Sequence, residues 1–157
     1  MNMRSTIWVA IVDDDESVCR SLGHLLVASD IESIAYLSAD AFLADPRHRY
    51  FDCVLLDIQF PGMSGIELQR QLAAVAPHIP IIFITAHEAP EVRKQALAAG
   101  CAAFFQKTEA GNLVIQAIHN AIAPLSGAVS RPIPPPPTPA AVLQKAQIFS
   151  LGTPFNQ

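Results

Sequence analysis

Four aspartates stand where the chain could do metal or phosphoryl chemistry. Asp13, Asp14 and Asp15 directly follow one short apolar run, and Asp57 directly follows another. Carboxylates gathered in one crevice repel one another, so their ionisation is tolerated mainly when a cation lies among them. Magnesium suits a shallow site of carboxylates, a backbone carbonyl and waters, especially where a phosphate oxygen completes the octahedron. An isolated run of three aspartates is more often a solvated loop or a helix N-cap.

A hydroxyl and an ammonium strengthen the metal and phosphoryl interpretation. Thr85 ends a fourth apolar run, and Lys107 immediately follows a fifth. A hydroxyl can hydrogen-bond a phosphoryl oxygen, and an ammonium offsets the negative charge that grows during phosphoryl transfer. Taken alone, Thr85 is typical of a strand end and Lys107 of a protein surface. Their placement together with the aspartates favours a phosphoryl site.

The elements that must position these residues are repeated β-α units. Short apolar runs rich in branched residues alternate with longer segments of helical spacing, which predicts a parallel sheet covered by helices. We expect a flavodoxin-like (βα)5 three-layer sandwich with sheet order 2-1-3-4-5. In such sheets ligands bind beyond the carboxyl ends of the strands where the order reverses, so the acids should converge. The predicted strands are Ile7 to Val12, Ser33 to Tyr36, Cys53 to Leu56, Ile81 to Thr85 and Ala103 to Gln106.

Helical spacing is clear in three of the intervening segments, and each should lay one apolar face on the sheet. Gly23 falls inside the first of them, at a cost of roughly 1 kcal/mol relative to Ala. The apolar positions are Val18, Leu22, Leu25 and Leu26, then Ile66, Leu72 and Val75, then Val114, Ala117, Ile118, Ala121 and Ile122.

Composition narrows the class of protein. The chain has 157 residues, 51% of them hydrophobic, which is enough to bury one core but not two substantial ones. Its 14 acidic residues outnumber its 10 basic ones, which disfavours direct binding of nucleic acid. The start lacks the apolar core of a secretion signal, and no apolar run reaches the ~18 residues of a membrane span. We therefore expect a cytoplasmic protein without membrane contact.

The three cysteines support that compartment. Cys19, Cys53 and Cys101 are far apart, and no two form the close pair of a zinc knuckle or a dithiol redox site. We interpret them as small core residues in a reducing cytosol.

The character of the chain changes after Ala123. Eight of its 13 prolines lie from Pro124 onward, and five of those fall between Pro132 and Pro137. Proline-rich sequence favours extended polyproline II, which has no backbone ladder and cannot continue a packed domain. The sequence therefore predicts one folded domain over residues 6–123 and a proline-rich linker or tail over residues 124–157.

Four separated segments carry a resemblance to a known family. They are Ile11–Ser17, Leu55–Gly65, Ile84–Ala86 and Gln106–Lys107. In order and spacing they resemble the receiver domain of bacterial two-component response regulators, a CheY-like domain. The match covers roughly Thr6 to Ala123 and is most similar to receivers that usually precede a helix-turn-helix output domain. Several motifs in register are far more specific than a single short signature.

The resemblance assigns roles to the acidic residues. It implies that Asp57 is the phosphoryl acceptor. It also implies that Asp13, Asp14 and Asp57, with the backbone carbonyl of Gln59, hold Mg²⁺ directly or through water. Asp15 is left as a bystander.

The resemblance also assigns roles to residues on the later strands. Thr85 and Lys107 would contact the phosphoryl oxygens, and Thr85 with Phe104 would form the switch that follows phosphorylation. The expected movement draws Thr85 inward and admits Phe104 to the vacated space, although Phe104 could equally be a plain core ring. Gln59 and His87 occupy positions that resemble those which tune the phosphoryl lifetime, and His87 could equally be an exposed loop residue.

The implied function is two-component signal transduction. Asp57 would accept a phosphoryl group from a sensor histidine kinase, a phosphotransfer protein or a small phosphodonor, and a changed surface would bind a downstream protein target. Only self-phosphorylation and autodephosphorylation are expected as chemistry, so the chain is not predicted to be an enzyme. A phosphorylation-dependent homodimer could use Ile115, Ile118 and Ile122, although such a helix usually packs on its own sheet.

The sequence departs from the family in two places. Thr108 follows Lys107 where the family usually has a proline, so we expect a trans loop in which Lys107 sits differently. In addition, no output domain follows the linker, which indicates either a stand-alone receiver or a lost output domain. Apolar residues of the tail could dock on a partner or on the receiver; they are Leu143, Ile148, Phe149 and Leu151.

Two other functions compete with the phosphorylation switch. One is a constitutive protein-binding module of receiver fold that is rarely phosphorylated, an alternative that Thr108 leaves open. The other is a phosphatase or transferase with an aspartyl-phosphate intermediate, as in the haloacid-dehalogenase class. That class needs a second Asp two residues after its nucleophile, where this chain has Gln59.

Overall fold

The computed structural model describes residues 6–86, 89–109 and 111–126, and side chains as far as Ile122. Strands and helices alternate along this part of the chain as five β-α units. The elements in chain order are β1 (Ile7–Val12), α1 (Glu16–Ala28), β2 (Ile31–Tyr36), α2 (Ala39–Ala44), β3 (Cys53–Leu56), α3 (Gly65–Val75), β4 (Ile81–Thr85), α4 (Pro90–Ala98), β5 (Ala103–Gln106) and α5 (Asn112–Ser126).

The five strands form one parallel sheet in the order β2-β1-β3-β4-β5. The predicted flavodoxin-like fold is confirmed. Because the order reverses beside β1, the carboxyl ends of β1 and β3 are neighbours, and Val12 pairs with Leu56. This pairing places the residues that follow both strands at the point where such folds bind ligands.

The central strands are buried on both faces. Every residue of β3 and β4 is buried, as is β1 from Val9 to Val12. Alternate side chains enter two separate cores, one packed around Phe42, Leu68 and Phe83 and the other around Leu26, Ile82 and Ile118. The outer strands β2 and β5 are only partly buried, as edge strands with one neighbour should be.

Strand β2 begins two residues earlier than the sequence predicted. The last turn of α1 ends at the C-cap Ser29, and Asp30 takes a left-handed φ of 60° that turns the chain sharply. Ile31 therefore enters the sheet at once and pairs with Ile7. The other four strands have the predicted bounds.

The helices bury most of the predicted apolar faces, with two corrections. Val75 is 48% exposed, because it is the last residue of α3 and lies beyond the part of the helix that packs on the sheet. Ile118 is fully buried in the core and is not available for a dimer contact, whereas Ile115 and Ile122 are partly buried against the same core.

The last helix ends close to the predicted domain boundary. α5 extends to Ser126, three residues beyond the predicted boundary at Ala123, so Pro124 lies in its last turn. The proline-rich residues 127–157 lie outside the described residues. In the described part of the chain, no helix combines the length and apolar character needed to cross a membrane.

Candidate functional site

The ends of β1 and β3 bring two aspartates together. Asp13 follows β1 and Asp57 follows β3, and the Asp57 N–H donates to the carbonyl of Val12 at 3.0 Å. Both aspartates are buried, with only 3% and 6% of their surface exposed. Two carboxylates removed from water side by side require positive charge nearby.

Asp14 completes an acidic group with these two residues. One carboxylate oxygen from each of Asp13, Asp14 and Asp57 lies within 4.8 Å of the others. Burial raises the pKa of Asp13 above its usual value, although its hydrogen bond from the Asp15 N–H at 2.9 Å opposes this. Asp14 is exposed, so the group opens to solvent on one side. A set of oxygen ligands with an open side fits Mg²⁺, which keeps several waters.

An open cleft of about 370 Å³ lies above the acidic group. Its size is ample for a phosphoryl group and several waters. The cleft is lined by Asp14, Asp15, Asp57, Gln59, Phe60, Pro61, Ala86 and Lys107.

Lys107 supplies the positive charge that the buried aspartates require. Its Nζ lies 3.0 Å from Asp13 Oδ2 and 3.5 Å from Asp57 Oδ2, with 20% of the side chain exposed. Burial lowers the pKa of Lys107, but the hydrogen bond to Asp13 and the charge of Asp57 outweigh it, so the pKa is raised. The side chain therefore stays an ammonium at neutral pH.

Asp57 is oriented by the loop that follows it. Its Oδ1 accepts a hydrogen bond from the Ile58 N–H at 2.7 Å and lies 3.5 Å from the Gln59 nitrogen, while Oδ2 faces Lys107. The Gly65 N–H in turn donates to the Ile58 carbonyl at 2.7 Å. A Cβ at Gly65 would collide with the Asp57 carbonyl, so this close approach of α3 requires glycine.

Of the remaining predicted residues, Gln59 lines the cleft and Thr85 lies buried beside it. Gln59 is exposed and lines it, and its role as a metal ligand through the carbonyl stays a prediction. Thr85 is 1% exposed, and its backbone carbonyl accepts the Lys107 N–H at 2.8 Å. The neighbouring Ala86 lines the cleft, whereas His87 lies outside the described residues.

Phe104 lies inside the core. It is 7% exposed, its ring centroid is 6.0 Å from that of Phe83, and the Arg93 guanidinium lies 5.6 Å above it. Phe104 is thus packed as a core ring, and its role in a switch stays a prediction.

Two residues that the sequence did not assign to the site donate hydrogen bonds to Asp13: the Asp15 N–H to its carboxylate and the Cys19 thiol to its carbonyl. Asp15 is the N-cap of α1, and hydrogen bonds from Ser17 and Val18 to its carboxylate lower its pKa. An aspartate before a helix was a visible signal for this role. The Cys19 thiol donates to the Asp13 carbonyl at 3.3 Å, and burial raises its pKa to about 11. No sequence pattern indicated that contact.

Thr108 does not keep Lys107 away from the site. Among the described residues no peptide bond is cis, as expected, yet the Lys107 ammonium still contacts both aspartates. The turn is held by Glu109, whose N–H donates to the Gln106 carbonyl at 2.9 Å and whose Oε2 accepts the Gln106 N–H at 3.1 Å.

Comparison with protein families decides the identity of this fold and site. The response regulator receiver domain model matches residues 9–119, which is more than half of the chain. The chain belongs to the response regulator receiver family. The predicted resemblance is confirmed, and the receiver's acidic group lies at the strand ends where the family motifs were found.

Curated relatives of the receiver are response regulators. The response regulator protein TmoT of Ectopseudomonas mendocina is 35% identical over 122 residues, which cover 78% of this chain and 55% of the relative. The transcriptional regulatory protein FixJ of Azorhizobium caulinodans is 32% identical over 117 residues, covering 74% of this chain and 56% of that protein. The chain thus spans about half the length of the curated relatives it matches.

Solved receiver structures share the fold. A receiver domain protein from Methanospirillum hungatei has a TM-score of 0.74 at 25% identity, covering 80% of this chain and all of that one. A receiver protein from Burkholderia phymatum is 41% identical with a TM-score of 0.65, covering 81% of this chain and 99% of that one.

Proposed function

We propose that the receiver accepts a phosphoryl group on Asp57. The observation that carries the proposal is the different contacts of the two oxygens of this carboxylate. Oδ1 is fixed by the Ile58 N–H at 2.7 Å, Oδ2 lies 3.5 Å from the Lys107 Nζ, and Asp57 lines the cleft. One oxygen is thereby held in place while the other can act as nucleophile.

The proposed reaction is an in-line displacement at phosphorus. A lone pair of Asp57 Oδ2 forms the new oxygen–phosphorus bond. The bond from phosphorus to the donor breaks, and its electron pair leaves on the donor, which is a phosphohistidine nitrogen or the acetate of acetyl phosphate. Lys107 lies 3.5 Å from the attacking oxygen, where its charge offsets the negative charge on the phosphoryl oxygens. Water later hydrolyses the aspartyl phosphate.

We infer that Asp13, Asp14 and Asp57, with the backbone carbonyl of Gln59, hold Mg²⁺. The fit rests on three carboxylate oxygens within 4.8 Å of one another and on the exposure of Asp14, which leaves room for waters. When bound, the ion supplies positive charge that neutralises phosphoryl oxygens.

The output of the switch is a changed protein surface. In this proposal the phosphoryl group recruits the Thr85 hydroxyl and Lys107, and the movement of Thr85 passes to Phe104 and to α4 above it. The donor is a sensor histidine kinase or a phosphotransfer protein, and the reader is a downstream protein target or a second copy of the receiver. Gln59 and His87 tune the lifetime of the phosphoryl group. The excess of acidic residues supports a role without direct nucleic-acid binding.

Intact mass after incubation with acetyl phosphate tests the proposal. With Mg²⁺ we expect the native chain to gain one phosphoryl group, and without Mg²⁺ or in Asp57→Ala we expect no gain. Asp52→Ala is the matched control, since Asp52 precedes β3 at the opposite end of the same strand. A native chain that gains no mass, or an Asp57→Ala chain that gains as much, would contradict the assignment.

The constitutive binding module is kept as a second candidate, because the Phe104 ring is already packed inside the core and such a module needs no inward movement of it. A receiver already in its output conformation would bind its target equally well as native chain and as Asp57→Ala. Partner binding that requires both acetyl phosphate and Asp57 would exclude this candidate.

A further inference from the structure

The turn after β5 carries Lys107 and is closed on both sides. On the inner side, the Lys107 N–H donates to the Thr85 carbonyl at 2.8 Å and continues the ladder with β4. On the outer side, Glu109 makes two hydrogen bonds to Gln106, one from its backbone N–H at 2.9 Å and one to its carboxylate at 3.1 Å. Lys107 is therefore held between two anchors.

The Glu109 carboxylate, the outer anchor, gives a hydrogen-bond partner to a backbone N–H of the edge strand β5. β5 pairs only with β4 in the sheet, so its other side presents backbone groups that no strand covers. The Glu109 carboxylate accepts the N–H of Gln106, the last residue of β5. This bond reaches across the turn and fixes the backbone from which the Lys107 side chain departs.

The hydrogen bonds of Glu109 matter because Thr108, which follows Lys107, does not restrict the backbone of the turn. A proline after Lys107 would restrict the backbone of this turn through its ring. Thr108 imposes no such restriction, and its hydroxyl lies 3.5 Å from the Gln106 side-chain oxygen, a weak contact at most. The hydrogen bonds of Glu109 are the stronger local restraint.

We propose that Glu109 is a positioning residue for phosphoryl transfer, acting through Gln106 to place the Lys107 ammonium against the aspartates. The inference rests on the proposed function, because Lys107 matters to the rate only if Asp57 is phosphorylated. The role needs a hydrogen-bond acceptor of the length of Glu, not a negative charge. Glutamine at this position therefore preserves it and alanine does not.

The test is the initial rate of phosphorylation by acetyl phosphate with Mg²⁺, followed by intact mass. We expect Glu109→Ala to be about three- to tenfold slower than the native chain, the size of one lost hydrogen bond. Glu109→Gln should stay within about twofold of native, because its side-chain carbonyl still accepts the Gln106 N–H. Glu32→Ala is the matched control, since it removes the same charge from the exposed face of the far edge strand β2.

A double variant separates positioning from a general loss of stability. In a Lys107→Ala chain there is no ammonium to place, so adding Glu109→Ala should change the remaining rate by less than about twofold. An unchanged rate in Glu109→Ala, an equal loss in Glu109→Gln, or a full further loss in the double variant would overturn the inference and leave the proposed function standing. A native chain that is never phosphorylated would overturn both.

Discussion

At the scale of single residues, Gly65 shows how closely helix α3 approaches the loop after Asp57. Its N–H binds the Ile58 carbonyl, and any Cβ here would collide with the Asp57 carbonyl. We predict that Gly65→Ala lowers the free energy of unfolding by roughly 1–3 kcal/mol, because the backbone must shift to relieve the collision. Since the shift moves Asp57, the rate of phosphorylation should fall as well. Urea unfolding and intact mass measure the two effects.

Ser64→Ala is the control for this prediction. Ser64 caps α3 through its hydroxyl, which accepts the Glu67 N–H at 3.2 Å, and its loss should cost about 0.5–2 kcal/mol. It introduces no collision with Asp57, so phosphorylation should continue at nearly the native rate. If Gly65→Ala matched native chain in both stability and rate, the close approach would have no consequence.

The three thiols should differ in reactivity. Cys53 is fully buried, Cys19 is 6% exposed and Cys101 is only partly buried. Burial raises the pKa of all three thiols, to about 11 for Cys19. Because Cys101 is the most accessible of the three, we predict that iodoacetamide at pH 8 modifies it first and the other two only on unfolding. Peptide mass mapping identifies the modified residue, and Cys101→Ser should abolish the fast phase. Rapid modification of Cys53 in the folded chain would contradict the burial.

Among single residues, the sequence revealed those that directly follow strands but not those whose contacts depend on helices and turns. Asp57 and Lys107 were predicted because each follows a strand, and parallel strands end at one edge of the sheet. Two hydrogen bonds were not predicted: the one from the Cys19 thiol to the Asp13 carbonyl, and the one from the Gln106 N–H to the Glu109 carboxylate. Such contacts depend on the path of a helix or turn. Neither residue type indicates its partner.

At the scale of elements, the glycine inside α1 lowers the stability of an otherwise regular helix. Gly23 has ordinary helical backbone, and an added Cβ would meet only the Ser33 hydroxyl oxygen at 3.8 Å, a normal contact. We predict that Gly23→Ala raises the free energy of unfolding by about 0.5–1 kcal/mol, since alanine restricts the unfolded chain and favours helix. The midpoint of urea unfolding should rise accordingly.

Gly62→Ala is the matched substitution with the opposite sign. Gly62 also has open space for a Cβ, but its φ is +89°, a backbone conformation that alanine adopts with strain. It should therefore lower the midpoint that Gly23→Ala raises. Two shifts in the same direction would mean that local backbone conformation does not decide the effect.

Burial pattern decided which elements could be predicted. Strands β1, β3 and β4 are continuous apolar runs covered on both faces, so their bounds followed from the sequence. The start of β2 was missed because it depends on the left-handed turn at Asp30. α4 was not delimited because Ala96 is its only buried residue, which leaves no apolar stripe to detect.

At the scale of the whole molecule, α3 links the loop after Asp57 to α4. Gly65 at its start contacts the Asp57 loop, and the buried Gln69 one turn later donates to the Ala96 carbonyl at 3.2 Å. Within the described residues the other side-chain atom, Gln69 Oε1, is buried without a hydrogen-bond partner. We predict that Gln69→Met speeds hydrogen exchange in α4 but changes the free energy of unfolding by less than about 1 kcal/mol, because the unpaired oxygen is removed along with the bond.

Exchange in α1 is the internal control, since that helix packs on the opposite face of the sheet, against the other core. Mass spectrometry of peptides from both helices reads the two effects in one sample. Equal protection of α4 in the variant and native chain would show that the Gln69 bond does not hold this helix.

The position of Lys107 between two aspartates also bears on how the receiver meets a divalent ion. With Nζ at 3.0 Å from Asp13 and 3.5 Å from Asp57, the chain carries its own monovalent counter-ion inside the acidic group. If a divalent ion binds as proposed, its binding would be an exchange rather than a simple addition, because Asp13 would have to share or release its internal partner. The freed ammonium would then face the cleft in which the proposed phosphoryl group would arrive.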